Sequence, residues 1–314
     1  MPQVGFGLWK VPKDVCSNTV YRAIEAGYRH LDSASDYANE EEVGAGIKAA
    51  IDQGLCKRED LWVTSKLWNT YHHPDHVKPA LEKTLQDLQL DYLDLYMIHF
   101  PISLEFVPFD QRYPPEWFND PDSKEPVMIP SRVPLSDTWH AMEMLKTEGL
   151  AKHIGICNYS SSLLHDLMNY SETKPEILQV ESHPYLTQEK LIRLAKNYGL
   201  EVTAFSPLGS LSYEELGGAE ESESLLKNES IKSIAKDLNV SPAQLILSWA
   251  LNRGTSIVVK SSNEARMKEN LDASIIKLDP FILDQISALN INKRYNDPGV
   301  FCEDAFNTFF PIYE

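Results

Sequence analysis

The feature that most constrains the fold is a strand-then-helix pattern that recurs eight times along the 314-residue chain. Short apolar runs, such as residues 93–100, alternate with amphipathic segments, such as residues 74–88. The strand candidates are continuously apolar, which is typical of parallel strands buried on both faces. Eight such units in a chain of this length predict a (β/α)8 TIM barrel with extra helices and long substrate loops at its C-terminal face.

The predicted elements follow one another without a break in composition. We predict strands at residues 4–9, 30–34, 61–67, 93–100, 152–157, 177–181, 201–206 and 256–259. We predict helices at residues 14–26, 40–53, 74–88, 135–148, 161–170, 188–198, 231–238, 242–252 and 264–273, with an additional helix at 280–289 and an irregular tail at 290–314. Because no linker divides the chain, a single domain over residues 1–314 is expected.

A doubly wound sheet that binds a dinucleotide is the alternative fold. It requires a GxGxxG turn between a strand and a helix. The chain offers only Gly5-Phe6-Gly7, without a third glycine at the proper distance. The barrel is therefore the favoured prediction.

Composition and charge narrow the class of protein. The sequence is 43% hydrophobic and 24% charged, which is ordinary for a globular protein, and no apolar run approaches the roughly 20 residues that span a bilayer. The net charge of −17 disfavours nucleic acid and anionic membranes as partners. Four widely spaced cysteines indicate free thiols in a reducing compartment. We expect a cytoplasmic enzyme that acts on a small molecule, as a monomer or a homodimer.

Ionisable side chains at predicted strand ends suggest where the chemistry lies. The carboxyl ends of all eight strands of such a barrel surround one pocket. Asp32, Lys66 and His99 interrupt otherwise apolar strands, and Asp36 and Tyr37 follow the first of these strands. A buried Lys and a buried Asp should be paired, since lone buried charges are costly. Each residue taken singly also fits a core ion pair or a satisfied core histidine.

Taken together, these residues suit proton donation to an oxygen atom. A tyrosine hydroxyl has an ordinary pKa of about 10 and is a poor proton donor near neutrality. An adjacent lysine ammonium stabilises the phenolate and is expected to lower that pKa. Asp32 would hold Lys66 charged, and His99 would orient a carbonyl oxygen towards Tyr37. The set predicts protonation of an oxygen while another reactant attacks the carbon.

Four segments resemble the signature sequences of a known family. They are GYRHLDSASDYANEEEVG, LDLYMIHFP, GICNYS and VVKSSNEARMKEN. The chain resembles the aldo-keto reductases, which are NAD(P)H-dependent carbonyl reductases with a (β/α)8 barrel, from Met1 into the C-terminal tail. The family's catalytic tetrad falls on Asp32, Tyr37, Lys66 and His99, the four residues that the strand-end argument selects.

The resemblance implies a site for NADPH as the preferred cofactor, with NADH use possible. The matching positions are Cys157, Asn158 and Gln179 for the nicotinamide carboxamide, Phe205 for the nicotinamide ring, Ser206, Leu208 and Ser210 for the pyrophosphate, Lys260, Ser261 and Arg266 for the 2′-phosphate, and Glu269 and Asn270 for adenine. Cations near a helix start suit a phosphate. The chain departs from the family pattern at Cys157, Phe205 and Val259, where serine, tyrosine and proline are usual, and in lacking most of an N-terminal β-hairpin, which suggests truncation.

Within the family, the sequence is most similar to xylose reductases. The residues that match substrate contacts are Trp9, Asp36, Phe100 and Asn296, the last within the segment RYNDP. Aromatic walls with a few polar groups suit a polyol, so we predict reduction of a xylose-like aldose. One alternative is a reductase of an anionic sugar-derived aldehyde, which would need Arg112, Arg132 or Arg294. Another alternative is a non-catalytic, NADPH-binding regulatory barrel.

Two further patterns favour ordinary structural roles. His72, His73 and His76 have a spacing that could suit a metal, but no carboxylate or cysteine cluster supports them, so no metal site is predicted. The acidic run at residues 214–223 is expected to be a solvated loop that acts as a flap over the cofactor.

Overall fold

Eight parallel strands form a closed barrel in the computed structural model, which describes residues 1–313. The strands are β1 (Val4–Gly7), β2 (His30–Asp32), β3 (Trp62–Leu67), β4 (Leu93–Ile98), β5 (Ala151–Cys157), β6 (Ile177–Glu181), β7 (Glu201–Phe205) and β8 (Ser256–Val259). Each strand pairs with the next one in chain order, and β8 pairs with β1. The predicted (β/α)8 barrel is confirmed.

Helices separate successive strands along the chain. They are α1 (Lys13–Ala26), α2 (Glu40–Asp52), α3 (Pro74–Leu88), α4 (Leu135–Thr147), α5 (Ser161–Tyr170), α6 (Glu189–Asn197), α7 (Glu229–Asp237), α8 (Pro242–Asn252) and α9 (Glu264–Asp272), followed by α10 (Pro280–Ser287) and α11 (Pro298–Phe306). Strand residues Phe6, Leu31 and Ile98 and helix residues Ile24 and Leu81 belong to one buried apolar cluster. Burial of this layer is the main force that holds helices on the barrel. None of the helices within residues 1–313 is both long and apolar enough to cross a membrane.

Local sequence sets where several helices begin. The Asn228 side chain accepts the N–H groups of Ser230 and Ile231 at the start of α7. Ser241 and Gln244 form a reciprocal capping box at the start of α8. These side chains satisfy N–H groups that have no partner within the helix, so the sequence fixes the helix starts.

The prediction of an irregular tail at residues 290–314 is wrong in part, because the tail contains α11. Asp297 caps this helix by accepting the Gly299 N–H, and Pro298 occupies its first turn. Proline at a first helical position after a capping Asp is a helix start signal. The predicted loop at residues 209–228 also contains four short 3₁₀ helices, at 209–212, 214–216, 221–223 and 225–227.

Strands β1, β2, β4 and β7 end one or two residues earlier than predicted, and for β2 and β4 this matters for the site. Strand β2 stops at Asp32 instead of residue 34, and β4 stops at Ile98 instead of residue 100. The last paired residue of β4 is Ile98, opposite Leu67. His99 therefore lies just beyond the sheet, where the chain is free to turn and present its side chain at the mouth.

Candidate active site

Lys66, on β3, is the centre of a buried polar cluster inside the barrel. Its Nζ atom donates to Asp32 Oδ1 at 2.6 Å, to the Ser33 carbonyl oxygen at 2.7 Å and to Tyr37 Oη at 3.1 Å. These partners come from the end of β2 and the turn after it. An ammonium group has three N–H bonds, so all of them are used within the protein. The side chain of Lys66 has no solvent exposure.

Charges in the cluster keep Lys66 protonated. Burial disfavours the ammonium, but the charge of Asp32 and the hydrogen bond to it outweigh this effect, so the pKa of Lys66 lies above its ordinary value. Burial raises the pKa of Tyr37, and the nearby Lys66 ammonium acts to lower it. Lys66 therefore acts on the Tyr37 pKa in the expected direction, but desolvation is the larger effect, and the net pKa lies above its ordinary value.

His99 lies against Tyr37 in an aromatic environment. Its ring stands edge-on to Tyr37 at 5.9 Å and to Trp68 at 5.4 Å, and it stacks on Phe100 at 4.9 Å. Burial and the charge of Lys66 hold the pKa of His99 well below its usual range. His99 is therefore a neutral imidazole near neutral pH, and its buried Nδ1 atom has no hydrogen-bond partner among the described residues.

Residues at the end of β5 and in the middle of β6 extend the cluster across the barrel. Gln179 Nε2 donates to Asp32 Oδ2 at 2.7 Å, so this carboxylate is held by two side chains. Cys157 Sγ donates to Gln179 Oε1 at 3.8 Å. Asn158 Nδ2 donates to the His99 carbonyl oxygen at 2.9 Å. The three predicted carboxamide residues thus lie beside the four predicted catalytic residues.

The predicted ring and pyrophosphate residues lie at the end of β7 and in the turn after it. Phe205, Ser206 and Leu208 are half-buried, whereas Ser210 is buried. Ser206 Oγ is hydrogen-bonded to Tyr213 Oη at 3.0 Å. Ser210 Oγ donates to Glu214 Oε1 at 3.0 Å. The acidic segment at residues 214–223 is therefore hydrogen-bonded to this turn through its first residue, Glu214.

The predicted 2′-phosphate residues lie at the end of β8 and the start of α9. Lys260 and Arg266 are exposed and Ser261 is half-exposed. Although the Lys260 side chain is exposed, partial desolvation of its ammonium group and the neighbouring charge of Lys10 lower its pKa. Lys10 forms an ion pair with Glu215 at 2.9 Å. Two lysines held near each other at a loop edge favour binding of an anion.

The predicted adenine residues lie on α9. Asn270 is 5% exposed, and Glu269 accepts a hydrogen bond from the Ser241 hydroxyl. Glu269 is thereby fixed against the start of α8. Glu269 therefore lies on the side of α9 that faces α8, whereas the buried Asn270 lies beside the Tyr28 hydroxyl.

The four predicted substrate residues surround the same mouth. Phe100 is buried against His99, and the half-buried Trp9 packs on Tyr213 at 5.6 Å. Burial and the charge of Glu116 raise the pKa of Asp36 to about 7. The Asn296 N–H donates to Glu181 Oε2 at 2.9 Å, and its side-chain Oδ1 atom is buried without a partner among the described residues.

Comparison with known proteins decides the family. A model of the Aldo/keto reductase family matches residues 3–291. The chain belongs to this family. The prediction of an aldo-keto reductase is confirmed, and with it the assignment to oxidoreductases.

Several curated relatives of this aldo/keto reductase have almost the same length. The NAD(P)H-dependent D-xylose reductase of Kluyveromyces lactis is 48% identical over 315 residues, covering 98% of this chain and 95% of the relative. That of Scheffersomyces stipitis is 49% identical over 300 residues, covering 95% and 93%. The NADPH-dependent aldose reductase of Saccharomyces cerevisiae is 46% identical over 314 residues, covering 98% and 96%.

A solved structure supports the fold of this aldo/keto reductase. The aldose reductase from Schistosoma japonicum superposes with a TM-score of 0.86 at 33% sequence identity, covering 100% of this chain and 96% of that chain.

Sequence reasoning missed three residues near the mouth of this aldo/keto reductase. Trp117, in the long loop after β4, packs edge-on against Trp68 at 4.8 Å and Phe100 at 5.0 Å. Glu181 ends β6 with no side-chain exposure. Glu181 interrupts an apolar strand as Asp32 and Lys66 do, so the same signal could have found it. No sequence signal pointed to the two tryptophans, because aromatic residues are common in buried cores.

The other candidate residues are spread over the aldo/keto reductase fold. His72 is fully buried, His73 caps α3, and His76 stacks on Phe106 at 3.7 Å, so the three rings have different surroundings.

The three arginines that an anionic substrate would need also have different surroundings. Arg112 donates to backbone carbonyls in the long loop, Arg132 is exposed, and Arg294 stacks on the ring of Tyr313.

Proposed function

We propose that this chain catalyses NADPH-dependent reduction of an aldose sugar, such as xylose, to its alcohol, with Tyr37 as the proton donor. The observation that carries the proposal is the saturated Lys66 ammonium, which is held by Asp32 and hydrogen-bonded to Tyr37 Oη. This cluster combines a protonated phenol with a fixed positive charge that stabilises the phenolate. It lies at the end of the barrel where enzymes of this fold carry out their chemistry.

The residues at the mouth fit a phosphorylated dinucleotide. Phe205 offers an aromatic face at the end of β7, and the amides of Asn158 and Gln179 lie within the catalytic cluster. The exposed Lys260 and Arg266 have no carboxylate within ion-pair distance among residues 1–313. These two cations would hold the 2′-phosphate, which favours NADPH while leaving NADH usable. When bound, the cofactor supplies the hydride.

The chain itself handles the proton. Tyr37 is protonated at neutral pH, so it carries a proton that it can give to a carbonyl oxygen, and the adjacent Lys66 ammonium acts against the rise in its pKa that burial causes. As the proton leaves, the Lys66 ammonium stabilises the phenolate, and Asp32 keeps that ammonium in place. The neutral His99 would donate a hydrogen bond to the same carbonyl oxygen and so direct it towards Tyr37.

The substrate pocket favours a neutral polyol. The relatives named D-xylose reductases support this substrate class. Trp9 and Phe100 supply apolar walls, and Asn296 Oδ1 is a buried acceptor without a partner among the described residues, which suits a sugar hydroxyl. The Asp36 carboxylate would accept a second hydroxyl. Because its pKa is about 7, Asp36 is a charged carboxylate above that pH and a neutral carboxylic acid below it, so we expect the strength of this contact to depend on pH near neutrality.

An anionic sugar-derived substrate is less favoured. Arg132 is exposed, Arg112 is used by the Phe118 and Asn119 carbonyls, and Arg294 is stacked on Tyr313. The complete catalytic set also argues against a purely regulatory barrel. Cytoplasmic location and a monomeric or dimeric state stay predictions from sequence.

The decisive experiment follows NADPH consumption with a panel of aldehydes. It compares xylose, glyceraldehyde, a hexose 6-phosphate, a uronate-derived aldehyde and an aromatic aldehyde at matched concentrations. We expect xylose and glyceraldehyde to be preferred over the anionic members. Preference for a phosphate or uronate substrate would contradict the proposed pocket. NADPH binding without turnover of any aldehyde would favour the regulatory alternative.

Replacing Asp36 tests the polyol contact directly. In the Asp36→Ala variant, kcat/KM for xylose should fall by about tenfold or more, because a charged acceptor for a hydroxyl is lost. The value for an aromatic aldehyde without hydroxyls should change little. An equal fall for both substrates would show that Asp36 supports the site in general and does not contact the sugar.

A further inference from the structure

The residues after α11 run back to the mouth of the barrel, where they contact the long loop that follows β4. Asn307 Nδ2 donates to the Pro126 carbonyl oxygen at 3.1 Å. The Met128 N–H donates to Thr308 Oγ1 at 3.0 Å. The segment 307–313, called the return segment below, is therefore fastened to a loop that forms part of the proposed substrate pocket.

Close packing and a stacked cation hold the end of the return segment. A Cβ atom placed on Gly299 would lie 2.9 Å from Pro311 Cα, so the segment passes directly over the start of α11. The Arg294 guanidinium lies 3.6 Å from the centroid of the Tyr313 ring. A cation over an aromatic face at this distance is attractive, and here it fixes the ring in one place.

The Tyr313 hydroxyl contacts a residue of the proposed cofactor site. Its Oη atom lies 3.1 Å from Asn158 Oδ1 and 3.4 Å from the Asn158 carbonyl oxygen. These two residues are 155 positions apart in sequence. Both Asn158 oxygens can only accept, so Tyr313 must be the donor. The contact therefore has a defined direction.

Asn158 is held at both ends of its amide. Its Nδ2 atom donates to the His99 carbonyl oxygen at 2.9 Å, while Oδ1 accepts from Tyr313. Asn158 is 2% exposed, and its φ of 64° lies in the left-handed region. An amide that is fixed at both ends cannot flip, and Oδ1 keeps a second lone pair for another donor.

We propose that Tyr313 is a positioning residue for the nicotinamide carboxamide, which it orients through the Asn158 amide. This rests on the proposed function, in which Asn158 contacts the carboxamide. The return segment then connects the long loop after β4 to the part of the cofactor site that would hold the nicotinamide. Arg294 acts in the same arrangement by fixing the Tyr313 ring.

The test compares two ligands in the Tyr313→Phe variant, which keeps the ring and removes only the hydroxyl. The dissociation constants of NADPH and of adenosine 2′,5′-bisphosphate are measured by calorimetry with the full chain. The second ligand has the adenosine and 2′-phosphate but no nicotinamide. We expect the dissociation constant of NADPH to rise about fivefold, as for the loss of one neutral hydrogen bond, while that of the bisphosphate stays unchanged.

Tyr198→Phe is the matched control. Tyr198 Oη is hydrogen-bonded to His165 Nδ1 at 2.7 Å on the surface, away from the mouth. The control should bind both ligands as the parent chain does. It measures the general effect of removing a hydrogen-bonded tyrosine hydroxyl at a position outside the cofactor site.

Two results would overturn the proposal while leaving the function intact. In one, Tyr313→Phe binds NADPH as tightly as the parent chain. In the other, both ligands weaken to the same extent, which would mean that Tyr313 only stabilises the fold. If the parent chain bound the bisphosphate but not NADPH, the assignment of Asn158 and the proposed function would fail together.

Discussion

At the scale of single residues, saturation of hydrogen bonds distinguishes the proposed catalytic cluster. Lys66 uses all three N–H bonds on Asp32, Ser33 and Tyr37, and Asp32 uses both carboxylate oxygens. A buried charge is tolerated only when it is paired in this way. The geometry of the cluster is therefore strongly determined.

The first prediction concerns the proton donor. The Tyr37→Phe variant keeps the ring and removes the acid, so kcat for xylose should fall by about a hundredfold or more. NADPH affinity, measured separately by calorimetry, should stay nearly unchanged. Tyr92→Phe is the control, since Tyr92 precedes β4 at the opposite end of the barrel, where Arg58 and Lys152 lie over its ring. Unchanged turnover in Tyr37→Phe would exclude Tyr37 as the acid.

A second prediction concerns a buried carboxyl group outside the site. Glu40 is 3% exposed and accepts hydrogen bonds from the hydroxyls of Ser65 and Thr84. Burial raises its pKa from 4.5 to about 7, although both hydrogen bonds act to lower it. The folded chain thus binds this proton more tightly than the unfolded chain. The associated stability is present below about pH 4.5 and is lost as the pH rises towards 7.

Replacing Glu40 with Gln should remove this pH dependence. Relative to the parent chain, the free energy of unfolding of Glu40→Gln should increase progressively between about pH 4.5 and 7, by on the order of 3 kcal/mol in total. Urea unfolding at pH 5 and pH 8 measures the change. Glu41→Gln, at an exposed position of the same helical turn, should show no such trend. A constant difference between Glu40→Gln and the parent chain would show that Glu40 does not titrate in this range.

At the scale of elements, close contact between helices fixes the outer layer. Helix α2 packs against the end of α3 at Gly44, where a Cβ atom would lie 2.6 Å from the backbone of Asp87 and Leu88. The backbone atoms of α3 cannot move aside for an added methyl group as the end of a flexible side chain could. The absence of a side chain at this position therefore sets how closely α2 and α3 approach.

The Gly44→Ala variant should be destabilised. Alanine favours a helix by about 1 kcal/mol relative to glycine, but the overlap with the α3 backbone should exceed this gain and lower the free energy of unfolding by about 1–3 kcal/mol. Chemical denaturation of both proteins measures the difference. A variant more stable than the parent chain would mean that α2 moves away from α3 without loss.

The elements also show where sequence reasoning succeeds. Amphipathic helices have a strong 3.6-residue period and buried parallel strands are short continuous apolar runs, and the predicted bounds of α3, α5, α8, β6 and β8 match the structure to the residue. The 3₁₀ turns at 209–227 and the helix α11 were missed. Short elements depend on caps and on contacts with distant segments, such as Thr308 with Met128, which are not visible in local periodicity.

At the scale of the whole molecule, the barrel explains why the proposed site could largely be predicted. The rule that strand ends meet at one mouth brings Asp32, Tyr37, Lys66 and His99 together from three separate stretches of sequence. Two aspects could not be predicted. The net pKa of Tyr37 depends on how completely it is desolvated, and the contact of Tyr313 with Asn158 depends on where the chain returns after α11.

The closure of the barrel also bears on how the chain acquires its structure. The ring of strands is complete only when Val4 of β1 pairs with Ile257 of β8. Because these residues lie near opposite ends of the sequence, nearly the whole chain must be present before the barrel can close. Until then the sheet is open and presents two unpaired edges, which can pair with strands of other molecules. Contacts between such distant segments form slowly. During refolding, β1 and β8 therefore each keep one edge exposed until the barrel closes, and dilution protects both edges by making encounters with other molecules rarer than pairing within the chain.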